Sequence, residues 1–126
     1  MKRTFLAAAI AVCALDSAVL FGHHGGAAYD QTKSVTFEGT VTEMQFANPH
    51  VLVYWDVKNG EQAGQKWSGW LTAPTKLSRA GWTRKTLSPG DPIVVTGTPH
   101  KDGSHVLQIR RLVGPEGNPL PLSENQ

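Results

Sequence analysis

Between Val35 and Met44, Val35, Phe37, Gly39 and Val41 alternate with Thr36, Glu38, Thr40 and Thr42. A period of two puts one set of side chains on each face of an extended chain, so this segment is expected to be a half-buried β-strand rather than a helix. Ala47-Asn48-Pro49 breaks the pattern, and a second strand follows from His50 to Val57. There Val51, Val53, Trp55 and Val57 share one face and Leu52, Tyr54 and Asp56 the other. Bulk on both faces marks a central strand.

Lys58-Asn59-Gly60 opens a polar hairpin loop, and Lys66 to Leu71 reads as strand three, paired with strand two. Pro74 to Ala80 has the length of two helical turns, with proline at its start and Gly81 as its stop. Leu87 to Asp91 is a turn, Ile93 to Thr98 strand four, Lys101 to Ser104 a second turn, and His105 to Val113 strand five. Three strands, a short helix and two strands is the element order of a small, mainly β, five-stranded Greek-key barrel of the OB type. The expected organisation is a signal peptide over 1–22, an N-terminal arm over 23–34, the barrel over 35–113 and a loosely ordered, proline-containing tail over 114–126. In an OB barrel, ligands bind the face of strands two and three, rimmed by the loops between strands one and two and between strands four and five. These loops hold Asn48-Pro49-His50 and His100 to His105.

The first residues point to export. Met1-Lys2-Arg3 is a positive start, and Thr4 to Leu15 is an apolar run too short for the roughly 20 residues that cross a bilayer. This is the pattern of a cleavable signal peptide, which implies a periplasmic or secreted domain with no transmembrane segment after processing. The single cysteine, Cys13, lies in this leader, so the mature domain has no disulfide and no thiol chemistry. Removing the leader leaves 10 Lys plus Arg against 9 Asp plus Glu, with no basic run longer than two residues. Nucleic acid is therefore not an expected partner.

The five histidines, His23, His24, His50, His100 and His105, fall in loops or at element ends. Cleavage after Gly22 would make His23 the N-terminal residue, whose amine and imidazole chelate Cu(II), with His24 or His50 adding a third nitrogen. Cleavage after Phe21 would give Gly22-His23-His24, in which a histidine in third position favours square-planar Cu(II). His23, His24 and His50 are accordingly the candidate metal ligands and copper the candidate cofactor. A flexible arm and a turn-ordering His50 is the alternative.

Trp67 and Trp70 are an odd number of residues apart, so only one of them can face the core. An outward Trp70 is a stacking platform for a small ligand, with His100 and His105 on the adjoining loop. Trp55 and Trp82 are expected in the core. No nucleophile elbow, phosphate loop or His-Glu-x-x-His is present, and Asp91 closes a turn, so the chain is not expected to be an enzyme.

His23-His24, Gly39-Thr40-Val41 with Asn48-Pro49-His50, Gly81-Trp82-Thr83, Pro89-Gly90-Asp91 and Thr96-Gly97 occur in this order. In this the chain resembles a family of small secreted bacterial proteins of unknown function, over roughly Gly22 to Leu120. Relatives commonly carry a small residue and then Ser or Phe after the two histidines, where this chain has Gly25-Gly26. The resemblance implies an exported β-barrel with no established activity. The functional expectation is thus a small exported binding or accessory module for a metal or small ligand. The alternative is a structural protein that pairs with a protein partner through a strand edge or its N-terminal arm.

Overall fold

The computed structural model describes residues 25–124; the proposed leader, Cys13, His23 and His24 lie outside the described residues. A 3-10 turn, Gly26–Ala28, precedes β1 (Val35–Gln45), β2 (Leu52–Val57), β3 (Lys66–Trp70), the helix α1 (Pro74–Arg79), β4 (Pro92–Pro99) and β5 (Val106–Val113). The strands close into a barrel in the order β1-β2-β3-β5-β4, with β4 returning to β1. Every pair is antiparallel except β3 with β5, which is parallel. The mainly β barrel with one short helix between β3 and β4 matches the expected architecture. No helix among the described residues is long and apolar enough to cross a membrane.

β1 closes the barrel by serving two partners. Val35 to Thr40 pair with β4, and Gly39 to Gln45 pair with β2. A bulge falls between Val41 and Glu43. One extra residue reverses the parity of a strand, so the inward set passes from Gly39 and Val41 to Met44. The simple alternation in the sequence carries no sign of that switch.

The inward faces of β2 and β3 supply Val53, Trp55, Val57 and Trp67, which join Val41, Ile93, Val95, Leu107, Ile109 and Leu112 in the core. Trp55 is fully buried and Trp82 nearly so, as expected. α1 covers one end of the barrel with Leu77 and stops in a glycine cap. Gly81 N–H donates to Ser78 O and Trp82 N–H to Leu77 O, with Gly81 at φ +99°.

The chain after β5 departs from the expected loose tail. Gly114 N–H donates to Asn118 O, Leu120 N–H donates to Leu112 O, and the Trp82 Nε1–H donates to Pro121 O at 2.7 Å. Leu120 and Leu122 pack against the core. Proline removes donors but does not prevent packing. Here the two leucines between and after the prolines supply apolar area that the barrel leaves uncovered.

Candidate functional site

Trp70 ends β3 on its outward face, since Trp67 and Gly69 point inward. Leu52 of β2 is its partner on one side and Gln108 of β5 on the other. His50, just before β2, brings its ring to 5.1 Å from Trp70, tilted by 50°. Tyr29, from the arm, meets Trp70 edge-on at 5.7 Å and His100 edge-on at 5.1 Å. His50, Trp70, Tyr29 and His100 therefore form one continuous row of rings. It runs from the β1–β2 loop to the β4–β5 loop across the outside of the barrel.

The arm is fixed in this place by backbone. Tyr29 forms a bridge with His100, Asp30 N–H donates to Pro99 O at 2.9 Å, and Lys101 N–H donates to Ala28 O at 2.9 Å. The Asp30 carboxylate then accepts from the amide and hydroxyl of Thr32, which folds the chain back toward β1. The Thr32 hydroxyl, its amide and Lys33 hold the Asp30 carboxyl below the usual carboxylate range. Side chains add a second attachment. Arg110 on the outer face of β5 donates through Nη2 to Gln31 Oε1 at 3.0 Å and to Gln108 Oε1 at 2.8 Å. Gln31 in turn donates to Gly26 O at 3.1 Å.

Two groups in the row have a distinct electrostatic setting. Burial pushes the Tyr29 hydroxyl above its ordinary pKa; the nearby Asp102 charge adds to this, and the Trp70 indole, hydrogen-bonded to it, opposes it. The His100 imidazole is largely buried, and its Nδ1 lies 2.7 Å from Asp102 Oδ1. Asp102 is held below the usual carboxylate range, first by Ser104 and then by His100.

The structure brings together Trp70, His100 and His50, with Tyr29 as the link between the first two. It does not bring His105 into the row. The His105 ring instead stacks on Trp67, 4.5 Å away with 7° between planes, and its Nδ1 lies 3.2 Å from Lys66 O. Of the three candidate metal ligands, His50 stands in the row while His23 and His24 lie outside the described residues. Among the described residues no three His, Cys, Asp or Glu side chains gather as a metal site. Tyr29 is the residue that sequence reasoning missed. The signal for it was an aromatic in a Gly- and Ala-containing arm, followed at once by the turn-forming Asp30-Gln31-Thr32.

The isolated carboxylates have structural partners. Asp56 pairs with Lys66 at 3.1 Å, and Asp91 accepts from Ser88 N–H at 2.9 Å in the turn before β4.

Comparison with known proteins places this geometry in a family. The chain belongs to the Family of unknown function (DUF6152), whose model matches residues 10–108, so the family-level expectation drawn from the motifs holds. No curated protein matches the chain. Among solved structures, the crystal structure of the ZRD-deleted mutant of TiaS in complex with agmatine is similar, with a TM-score of 0.47 and 18% identity. That similarity covers 77% of this chain and 24% of the other, so the chain spans about a quarter of its length.

Proposed function

We propose that this protein is an exported binding module that holds a Cu(II) ion between its N-terminal histidines and the barrel, with His23, His24 and His50 as ligands. The observation that supports this best is the clamp between the arm and the β4–β5 loop. It fixes Tyr29 in the ring row, and His24 precedes Tyr29 by only five residues. Five or six residues span at most about 18 to 22 Å, which keeps both N-terminal histidines within chain reach of the ring row. Since the described residues gather no metal site of their own, the reading requires ligands from before Gly25. Imidazole nitrogens, with a free amine if cleavage falls after Gly22, are donors suited to Cu(II). Export rests on the basic start and the short apolar run of the leader. Its destination is the periplasm or the exterior, and no catalytic role is assigned. Trp70 and His100 form the patch beside the ion on which a small ligand would rest.

Partner binding through a strand edge loses its physical basis in this fold. The sheet closes on itself, so none of β1 to β5 is an edge strand. The arm is already engaged with Pro99, His100 and Lys101.

The test is a Cu(II) titration of the processed protein, its N-terminus first established by mass spectrometry, followed by electron paramagnetic resonance. One equivalent bound with nitrogen hyperfine structure is expected, and His23→Ala or His50→Gln should weaken binding at least about tenfold. Absence of stoichiometric binding, or an affinity indifferent to both substitutions, would overturn the proposal.

A further inference from the structure

We infer that Arg110 and Arg111 together form a binding site for a phosphomonoester on the outer face of β4 and β5, independent of the copper reading. The register of the two strands carries the inference. Thr96 is paired with Arg111 but Gly97 with Ile109, which leaves Arg110 as an extra residue in β5. On a regular strand two consecutive side chains point to opposite faces. Across this bulge Ile109 and Leu112 are buried while both arginines between them are exposed, so two guanidinium groups share one face. Gly97 fits the bulge closely, since a Cβ there would lie 2.5 Å from Gln108 O.

Two adjacent positive charges repel, and the protein does not neutralise them. Among the described residues no carboxylate lies within ion-pairing distance of either guanidinium. Asp30, next to Gln31 in the chain, directs its carboxylate to Thr32 and Lys33, and Glu38 on the outer face of β1 accepts from Asn59. Arg110 is held by neutral acceptors instead. It donates through Nη2 to the side-chain oxygens of Gln31 and Gln108, which fixes its plane and leaves its charge unanswered. Beside Arg111, its cross-strand neighbour Thr96 shares a hydrogen bond of 2.8 Å with Thr36 of β1. Two hydroxyls joined by one hydrogen bond have one O–H left to donate. The face thus offers charged N–H donors from two guanidinium groups and a hydroxyl. Guanidinium N–H groups match the spacing of phosphate oxygens. A phosphomonoester carries close to two negative charges at neutral pH, which answers both cations where a carboxylate would answer one.

The experiment follows the arginine Nε–H signals of the processed protein by NMR as glycerol phosphate is added, with sodium acetate at equal ionic strength as the control. Glycerol phosphate should shift the signals of Arg110 and Arg111 and bind at least about tenfold more tightly than acetate. Arg111→Gln should weaken binding about tenfold or more, and Arg111→Lys, which keeps the charge without the planar donors, should restore only part of the affinity. Arg110 is left unchanged because it also holds Gln31 of the arm. Vesicles containing phosphatidic acid present the same monoester; tighter binding to them assigns the group to a lipid headgroup, and equal or weaker binding assigns it to a soluble ester. Equal responses to glycerol phosphate and acetate, or full affinity in an Arg111→Gln variant shown to be folded by circular dichroism, would overturn the inference.

Discussion

The indole of Trp55 occupies the space that a side chain on Gly39 would need: a Cβ built there would lie 2.6 Å from Trp55 Cδ1. Gly39 is also the point where β1 is paired with β2 and β4 at once, to Val57 on one side and Ile93 on the other. Neither backbone can move aside without breaking a ladder. Gly39→Ala is therefore expected to cost about 1–3 kcal/mol, the usual penalty for overfilling a packed core. Chemical denaturation measures it. Adding Trp55→Phe should return part of the loss, and strict additivity of the two substitutions would show that the contact is not the cause.

Gly81 ends α1 at φ +99°, a conformation that side chains with a Cβ rarely adopt, and open space surrounds it. Gly81→Ala should destabilise by about 1–2 kcal/mol through backbone strain alone. A thermal melt is enough to read it. An unchanged Tm would mean that the cap holding Trp82 N–H to Leu77 O is dispensable.

Tyr29 gives the fold an alkaline limit. Its folded pKa is raised, chiefly by burial, so its stabilising contribution is complete below the unfolded value near 10 and is lost as pH rises through the folded value. Unfolding measured at pH 8 and pH 11 should show a larger drop for the unmodified protein than for Tyr29→Phe. Equal drops would place the alkaline sensitivity elsewhere.

Truncation after Asn118 removes the Pro121 carbonyl that accepts from Trp82, and with it the cover that Leu120 and Leu122 give the core. Loss of about 2–4 kcal/mol is expected from the partial exposure and the broken hydrogen bond. A truncated chain as stable as the full one would restore the picture of an idle tail.

What could be read in advance was local. The alternation in Val35 to Val41 and in Val51 to Val57, the turn residues around Gly60 and Gly103, and proline and glycine at the two ends of α1 each act within a few positions. The strands, helix and barrel class followed from these. Strand ends moved slightly for equally local reasons: Val51 N–H donates to Thr72 O rather than entering the ladder, so β2 begins at Leu52. What escaped depends on residues distant in the chain. Tyr29 is 1% exposed because Trp70 and His100 cover it, and nothing near Tyr29 in sequence announces either. The stack of His105 on Trp67 and the seat of Leu120 beside Leu112 are likewise products of closure. The bulge after Val41 escaped because an added residue leaves composition unchanged while reversing which side of the strand is inside.

The parallel seam between β3 and β5 has a bearing on time. Ser68, Gly69 and Trp70 pair with Val106, Leu107 and Gln108, and β1 pairs with β4 across about sixty intervening residues. A chain made from its N-terminus can form the β1–β2–β3 meander early, yet has nothing to shut it with until almost the last strand has emerged. Pairings this remote slow folding relative to local ones. Completion is thus a late event, and until then the nascent polypeptide remains an open ribbon.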